Sequence, residues 1–282
     1  MKPAPFRYAR PSSVTEAIGL LAAHGDFARL LAGGQSLMPL MVRRLERPAL
    51  VIDINRIAGL DVIEIQPTCI RMGALVRQEQ ALRSSILAQA APGVAAALAW
   101  VANPVVRQRG TVIGNLVTNS PGAELPAVAL ALQAQFVVRS ADSEEIVPAE
   151  VLLGPRRRLP AHAMVTHVLW PRRPARAGFY EVARRDGHAP VVSSLVTLTG
   201  NDCRVSLSGV CSTGLSCPTL ARMIAQQFPR LPDTGEFARA LRDDLTGPLY
   251  ADAYSSARYR LEVAPEVSQR AARLMALQAG AA

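Results

Sequence analysis

The stretch Leu30-Leu-Ala-Gly-Gly-Gln-Ser36 places two glycines and small polar side chains between an apolar run and a helical repeat. Residues 29–32 predict a short buried strand, and residues 37–45 have the apolar spacing of a helix. Because glycine has no side chain, backbone N–H groups here can face an anion, and the start of the next helix favours negative charge. A plain strand-to-helix turn would use the same residues, so this stretch alone leaves two interpretations open.

A second glycine stretch, Thr111-Val-Ile-Gly-Asn115, lies far along the chain and predicts another turn flanked by polar residues. A helix beginning near Pro121 and Glu124 follows it, which places a carboxylate at a helix start. Two anion-binding turns with one carboxylate suit an extended diphosphate ligand with a hydroxylated chain. The G-x-G-x-x-G pattern is absent, and Gly209-Val-Cys-Ser-Thr-Gly214 is followed by Leu215 where a P-loop has lysine.

The charge of the chain is strongly positive and is carried almost wholly by arginine. The formal net charge of the 282 residues is +9, and Lys2 is the single lysine among the 31 basic residues. A terminal lysine suits neither a P-loop nor a pyridoxal Schiff base. The arginines are scattered and are not interleaved with aromatic residues, so we expect no nucleic-acid binding. An acidic protein partner is the better match for this charge.

Cysteine usage predicts a reducing compartment. Cys69, Cys203, Cys211 and Cys217 are irregularly spaced and have no histidine at metal-binding distance along the chain. We therefore expect free thiols, no iron–sulfur cluster carried by this chain, and a cytoplasmic location. Residues 1–13 contain three prolines and no apolar stretch of signal-peptide length, and no segment of the sequence has the roughly 18 uninterrupted apolar residues of a membrane span, so we expect no membrane-spanning segment.

The composition of the chain and its proline-containing breaks predict three structural units. Half of the residues are hydrophobic and 19% are charged, which is typical of a globular protein. The apolar strand Leu50–Asp53 closes a first unit, residues 1–56. A middle unit, residues 57–174, ends in the proline-punctuated linker candidate Pro171-Arg-Arg-Pro-Ala-Arg176. Residues 175–282 then predict three strands followed by helices, an α+β unit.

Several motifs in fixed order resemble one protein family. They are Ala32-Gly-Gly-Gln-Ser36, Arg109-Gly-Thr-x-x-Gly-Asn115, Thr118-x-Ser-Pro-x-x-Glu-Leu125, Phe179-Tyr-Glu-Val-Ala-Arg-Arg-Asp-Gly187 and Ser255-Ser-Ala-x-Tyr-Arg260. Together they resemble the FAD-binding medium subunit of molybdenum hydroxylases, the group that includes carbon monoxide dehydrogenase and xanthine dehydrogenase. The resemblance extends over nearly the whole chain, and the ordered set is more specific than any one motif.

The resemblance implies an α+β fold and a set of cofactor contacts. The expected fold is a two-part FAD-binding domain of the PCMH type, which is vanillyl-alcohol-oxidase-like, followed by a small C-terminal domain of the carbon monoxide dehydrogenase flavoprotein type. The first motif would offer backbone amides to the FAD pyrophosphate, the second would line the ribityl and phosphate side, and an acidic residue would hydrogen-bond the cofactor. The implied FAD-binding residues are Ala32, Gly33, Gly34, Gln35, Ser36, Thr111, Gly114, Asn115, Glu124 and, beside the flavin ring, Leu159. For Leu159, an ordinary core leucine is the alternative.

The resemblance also implies a function and partners. The chain would be the FAD-carrying oxidoreductase subunit that passes electrons from the [2Fe–2S] clusters of a small subunit to NAD or another acceptor. A separate large molybdopterin-binding subunit would oxidise the organic substrate, and no residue of this chain would act as a catalytic acid or base on it. Residues 156–158, three arginines, are a candidate partner contact or a solvated loop. A stand-alone flavin oxidoreductase and a cofactor-free assembly subunit are the alternatives.

This sequence departs from the family pattern at three positions. Ile113 replaces the first glycine of the usual Thr-x-Gly-Gly-Asn, and a β-branched side chain tolerates positive φ poorly. We therefore expect Ile113 to weaken the close approach of a phosphate and Ile113→Gly to tighten FAD binding. Glu124 replaces the usual aspartate, and His188 stands where an acidic residue is common.

Overall fold

The computed structural model describes residues 2–154, 162–172 and 176–278 of the chain. Three separate sheets organise these residues: a three-stranded parallel sheet, a five-stranded antiparallel sheet and a four-stranded antiparallel sheet, in that order along the chain. Helices alternate with the strands in the first part, separate groups of strands in the middle part, and follow four consecutive strands in the C-terminal part. The molecule therefore has the α+β fold that the sequence predicts.

The first sheet positions the residue 32–36 stretch at the carboxyl edge of its strands. Its strand order is β1-β3-β2, and β2 ends directly before Ala32. The side chain of Ser13 caps the N-terminus of the helix Val14–His24 by accepting a hydrogen bond from the Glu16 amide. The elements are β1 (Arg7–Ala9), α1 (Val14–His24), a 3-10 turn (Gly25–Phe27), β2 (Ala28–Leu31), α2 (Leu37–Val42) and β3 (Leu50–Asp53).

The middle part surrounds a five-stranded sheet with seven short helices among the described residues. The strand order β4-β5-β8-β6-β7 brings the last strand of this part back between the earlier ones. The elements are β4 (Ile63–Ile65), β5 (Cys69–Gly73), α3 (Gln78–Leu82), α4 (Ser85–Ala90), α5 (Pro92–Leu98), α6 (Pro104–Arg109), α7 (Val112–Thr118), α8 (Glu124–Ala131), β6 (Gln135–Arg139), β7 (Glu144–Pro148), α9 (Ala149–Leu153) and β8 (Met164–Pro171).

The C-terminal part is a four-stranded sheet, ordered β12-β11-β10-β9, with three helices. Its last helix packs on β9 and β10, and none of the helices in the described ranges is both long and apolar enough for a transmembrane span. The elements are β9 (Arg176–Ala183), β10 (Pro190–Thr199), β11 (Asp202–Ser208), β12 (Leu215–Ser216), α10 (Pro218–Gln227), α11 (Thr234–Asp244) and α12 (Ala257–Leu277).

Two hydrophobic clusters fill the interior. One cluster includes buried residues from the first and middle parts together, and it also takes in Phe179 of β9 and Leu195 of β10. The second cluster belongs to the C-terminal part and includes Leu220, Phe237 and Val267. One core thus joins the parallel sheet to the five-stranded sheet, while the division of the chain at residues 56 and 174 stays a prediction.

The predicted strand Leu50–Asp53 has the expected bounds as β3, and the strand expected at residues 29–32 corresponds to β2. The helix expected at residues 37–45 ends earlier, at Val42, and the C-terminal part has a fourth strand, β12, where three were expected. No sequence signal predicted β1, α6, β7, α9 or β8. Strand β7 has the sequence Glu-Glu-Ile-Val-Pro and lies at a sheet edge, where charged residues obscure the alternation that predicts a strand. The linker candidate 171–176 joins β8 to β9, and its residues 173–175 lie outside the described ranges.

The substitution Gly178→Ala tests the packing of α12 on β9, and Gly19→Ala in α1 is its control. A Cβ atom at Gly178 would lie 2.0 Å from the Ala271 carbonyl oxygen and 2.4 Å from the Met275 nitrogen, both in the helix backbone. We expect Gly178→Ala to lower the free energy of unfolding by about 1–3 kcal/mol, because the helix must move away. Gly19→Ala, on the exposed face of α1 with open space around it, should raise that free energy by about 0.5–1 kcal/mol. Chemical denaturation of both variants measures the difference, and a neutral Gly178→Ala would contradict the packing described.

Candidate functional site

One cavity lies where the first sheet, the middle helices and the C-terminal part meet. Its volume is about 440 Å³, within the range of ligand sites. Residues 30–37 line one side, and Glu124 with most residues of the segment 110–118, all except Val112 and Leu116, line another. The cavity therefore brings together nine of the ten predicted site residues: Ala32, Gly33, Gly34, Gln35, Ser36, Thr111, Gly114, Asn115 and Glu124. Leu159 lies outside the described residues.

The two glycine-bearing segments touch at Gly33. A Cβ atom added to Gly33 would lie 2.3 Å from the Arg109 carbonyl oxygen and 2.9 Å from the Gly110 Cα atom. No side chain fits at such distances, so glycine is required for the two backbones to meet. The sequence analysis assigned this glycine to the approach of a phosphate, whereas the structure shows that it first serves the contact between two protein segments.

Backbone N–H groups are available along the first segment. Among the described residues, the amides of Gly33, Gly34, Gln35 and Ser36 donate no hydrogen bond to the protein. Gly34 has a φ of +72°, a conformation that favours glycine. Gly33 and Gly34 are half-buried and Gln35 and Ser36 are exposed, so these four adjacent donors at the cavity wall are open to an acceptor-rich ligand.

The second segment is a helix start, and the prediction of a glycine turn at residues 111–115 is wrong. Thr111 is the N-cap of α7, and its Oγ1 accepts a hydrogen bond of 3.0 Å from the Gly114 amide. A Cβ atom at Gly114 would lie 2.6 Å from that oxygen, so Gly114 preserves the cap. The glycine in the sequence obscured a Thr cap followed by apolar residues at helical spacing, which was the signal for the helix.

The concern about Ile113 is removed by the same helix. Ile113 is not among the residues with positive φ, and its side chain is 4% exposed and packs in the large core cluster. A β-branched residue causes no strain in this conformation. Ile113 also lines the cavity, so the effect of Ile113→Gly on FAD binding stays a prediction, while the loss of buried apolar contacts should lower the stability of the fold.

Two buried polar atoms at the cavity lack partners within the described part of the chain. They are Oδ1 of Asn115 and Oε1 of Gln78, and both residues line the cavity. Gln78, the first residue of α3, is 4% exposed and was not identified from the sequence, where no motif marks it. Because buried polar groups are normally hydrogen-bonded, these atoms indicate ligand contacts. Together with the free amides, they fit a cofactor with phosphates and hydroxyls.

Glu124 is the one ionisable side chain among the described residues that line the cavity. It is the first residue of α8 and is 4% exposed. Burial raises the pKa of Glu124 to about 7, although hydrogen bonds with its own amide and with the Asn115 side chain favour the charged form. The carboxyl group can therefore be either a donor or an acceptor near neutral pH.

A second buried carboxyl group, Glu181 of β9, lies on the other side of Glu124. Burial and the charge of Glu124 raise the pKa of Glu181 to about 8, and its Oε2 has no partner among the described residues. Ser193 lies directly across the sheet from Glu181 and hydrogen-bonds Ser208. The Ser208 hydroxyl in turn approaches the Gly122 carbonyl at 3.5 Å. This face of the C-terminal sheet thus packs polar groups against the segment that leads to Glu124.

The loop before β10 completes the cavity from the C-terminal part. Gly187 and Ala189 line the cavity, while the exposed His188 between them does not. A Cβ atom at Gly187 would lie 3.0 Å from the Asn103 side chain, and Gly187 has a φ of +73°. The departure at His188 therefore changes a solvent-facing side chain and leaves the cavity wall intact.

Comparisons of sequence and of structure both relate the chain to the FAD-binding subunits of molybdopterin dehydrogenases. Residues 4–173 match the family described as FAD binding domain in molybdopterin dehydrogenase. The chain is 34% identical over 281 residues to the 6-hydroxypseudooxynicotine dehydrogenase complex subunit alpha of Paenarthrobacter nicotinovorans, with 96% of this chain and 94% of that protein covered. It is 29% identical to the carbon monoxide dehydrogenase medium chain of Afipia carboxidovorans, with 96% of each covered.

A solved structure has the same fold over the full length. The chain superposes on a chain of a Cu,Mo-CO dehydrogenase in its cyanide-inactivated form with a TM-score of 0.90 and 25% sequence identity. The match covers 99% of this chain and 100% of that one. The two-part domain and C-terminal domain that the resemblance implied are therefore confirmed as the fold.

The pH dependence of stability tests the burial of Glu181. Its pKa is raised from an ordinary 4.5 to about 8 in the folded protein, so the folded state binds more protons than the unfolded state between these values. The free energy of unfolding should therefore fall as the pH rises from 5 to 8, by an amount on the order of a few kcal/mol. Glu181→Gln cannot ionise, and we expect chemical denaturation of this variant to show a smaller decrease over that range.

Glu124 remains in the variant and retains its own contribution up to about pH 7. Glu262→Gln, which changes an exposed carboxylate of α12, is the matched control and should leave the slope unchanged. Equal slopes in wild type and Glu181→Gln would show that Glu181 is not buried in its neutral form.

Proposed function

The chain belongs to the family of FAD-binding domains of molybdopterin dehydrogenases, and on this premise we propose that it relays electrons from the [2Fe–2S] clusters of a small partner subunit to an external acceptor. It is an FAD-binding oxidoreductase subunit of the medium type found in heteromeric molybdenum hydroxylases. Relatives over almost the whole chain include a complex subunit alpha and a medium chain, names that describe parts of larger assemblies.

We assign the cofactor contacts from the geometry of the cavity. The unpaired amides of residues 33–36 would bind the pyrophosphate of FAD. Thr111, Gly114 and Asn115 would line the ribityl and phosphate side, and the Asn115 Oδ1 would accept from a hydroxyl group. Glu124 would hydrogen-bond the cofactor from the start of α8. Gln78 adds one further polar contact to this set.

Bound FAD supplies the ability to accept electrons and to deliver them singly or as hydride, while the protein determines position and electrostatics. The apolar walls, among them Leu30, Ile54 and Val165, exclude water around the site. The raised pKa of Glu124 allows its carboxyl group to hold a proton beside the cofactor at neutral pH. The chain itself therefore orients the cofactor and controls one proton.

The near full-length likeness to subunits of larger assemblies favours electron relay over an independent oxidase, and this single observation carries the relay proposal. A stand-alone flavin oxidoreductase remains the second candidate. It would need an acid or base of its own, and Glu124, with a pKa of about 7, is the one ionisable group among the described residues that line the cavity. The cofactor-free assembly subunit rested on strain at Ile113, which the helix α7 removes.

We propose that two further subunits complete the enzyme: a large molybdopterin-binding subunit, which oxidises the organic substrate, and a small subunit with [2Fe–2S] clusters. NAD or another small molecule would be the final acceptor. The +9 charge of the chain suits docking to more acidic partners. A cytoplasmic location remains a prediction, which agrees with the free thiols of all four cysteines.

The Gly33→Val variant tests the cofactor assignment. Its side chain would enter the contact with the Arg109 carbonyl and separate the two cavity walls. We expect the purified variant to retain at least about tenfold less FAD than wild type, as measured by flavin absorbance per protein. Gly19→Val, where a Cβ atom has open space, is the matched control. Undiminished flavin in Gly33→Val would show that the residue 32–36 segment does not hold the cofactor.

Reconstitution tests the relay itself. The FAD-loaded chain is mixed in a stopped-flow instrument with the reduced form of the proposed [2Fe–2S] subunit, and flavin absorbance is followed. Rapid bleaching with the reduced partner, and no bleaching by organic substrate alone, is the expected result. Bleaching by organic substrate without any partner would favour the stand-alone oxidoreductase.

A further inference from the structure

Arg77 and Asn55 connect the two cavity walls without lining the cavity. The cavity wall in the described ranges includes neither residue, and both border a separate polar depression of about 370 Å³. Asn55 follows β3, the strand beside β2, so it lies at the same edge of the parallel sheet as residues 32–36. Arg77 precedes α3 in the middle part. Their hydrogen bonds link segments that are far apart in the sequence.

The backbone of Arg77 already lies beside the second segment. Arg77 forms an antiparallel bridge with Thr111. The Gln78 amide donates to the Gly110 carbonyl at 2.9 Å, and the Val112 amide donates to the Val76 carbonyl at 3.1 Å. The guanidinium group of Arg77 therefore starts from a backbone that is fixed relative to residues 110–112.

The side chain of Arg77 makes the connection through Asn55. Its Nη1 donates to the Arg109 carbonyl at 2.7 Å, and its Nη2 donates to the Asn55 Oδ1 at 2.6 Å. The Asn55 Nδ2 in turn donates to the Ala32 carbonyl at 2.9 Å. Three consecutive hydrogen bonds thus join Arg109 to Ala32. Gly33 also packs against the Arg109 carbonyl oxygen. The Gly33 contact and the Arg77 hydrogen bond therefore both affect the distance between residues 32–36 and residues 109–111.

Asn55 is itself held by the sheet. Its amide and its Nδ2 donate to the Asp53 Oδ1 at 2.9 Å and 2.6 Å. The Tyr8 hydroxyl donates to the other oxygen of Asp53, and Arg10 lies 3.8 Å from it. Burial raises the pKa of Asp53, but the hydrogen bonds from Tyr8 and Asn55 outweigh it and hold that pKa below its ordinary value. Asn55 therefore has a fixed orientation toward Arg77.

We propose that Arg77 and Asn55 are positioning residues that fix the separation between residues 32–36 and residues 109–111, and thereby determine how tightly the chain holds FAD. This inference rests on the proposed placement of FAD between the two segments. The planar guanidinium group suits the task, because it donates to two acceptors in a fixed geometry that lysine does not reproduce. We call the hydrogen-bonded pair Arg77 and Asn55 the brace. It acts on the backbone of the two segments, since neither side chain lines the cavity.

Hydrogen exchange of the FAD-free, full-length chain tests the brace without the cofactor. We expect Arg77→Met and Asn55→Ala to increase exchange at hydrogen-bonded amides beside both segments, with little change in the C-terminal sheet. On the first side these are Met38, which donates to the Gly34 carbonyl, and Ile54, which donates to the Leu31 carbonyl. On the second side they are Gly110, Val112 and Gly114. Arg83→Met is the matched control, because this exposed arginine near the end of α3 pairs only with Glu79 among the described residues. Unchanged exchange in both segments would overturn the proposal. A variant that exchanges faster throughout the chain would show a general folding role and would overturn it equally.

Flavin titration then tests the consequence for binding. We expect each single variant to raise the Kd for FAD about tenfold, with a similar thermal midpoint of the FAD-free protein in Arg77→Met and Arg83→Met. The double variant Arg77→Met/Asn55→Ala should be little weaker than either single variant, because each breaks the same path. Additive effects would overturn the brace. Failure of the wild-type chain to bind FAD would refute the proposed function, while the exchange experiment would still judge the brace.

Discussion

The contact between Gly33 and the Arg109 carbonyl is the constraint on which the cavity depends. It joins a turn at the carboxyl edge of the parallel sheet to the residue that precedes the Thr111 cap. A Cβ atom at Gly33 would lie 2.3 Å from the Arg109 carbonyl oxygen, which is too close for any side chain. Because the protein interior is densely packed, a larger residue at position 33 would displace one of the two backbone segments. The unpaired amides of residues 33–36 and the polar side of α7 are consequently held on facing walls. A dinucleotide cofactor requires this arrangement because its phosphates and its hydroxylated chain need partners at separate places.

Several polar groups are withdrawn from solvent where the three parts of the chain meet. Glu124 and Gln78 are buried at the cavity beside the half-buried Asn115, and the buried Glu181 of the C-terminal sheet lies within electrostatic range of Glu124. Buried carboxyl groups cost free energy unless they are neutral or hydrogen-bonded. Burial raises the pKa of Glu124 to about 7 and that of Glu181 to about 8, so both carboxyl groups can be neutral near neutral pH, which lowers this cost. The C-terminal part thus contributes to the electrostatics of the site as well as closing it through Gly187 and Ala189.

The departures from the family pattern have little effect once their positions are known. Ile113 packs in the core from a helix, and His188 faces solvent beside the cavity wall. Glu124 is longer than the usual aspartate but remains buried at the start of α8 and bonded to the Asn115 side chain. The family pattern describes side chains, whereas much of the cavity wall consists of backbone groups. Moderate changes of side chain therefore leave the cavity wall in place.

Local signals in the sequence were sufficient for the elements with strong patterns and for the family. Apolar runs predicted β2 and β3, and the ordered motifs pointed to FAD and to nine residues that line one cavity. Only the tertiary structure decided why Gly33 must be glycine, that residues 112–118 form a helix, and that Gln78, Arg77 and Asn55 matter. Each of these depends on contacts between residues far apart in the chain, and hydrogen bonds and close backbone approaches of this kind leave no periodic trace in the sequence.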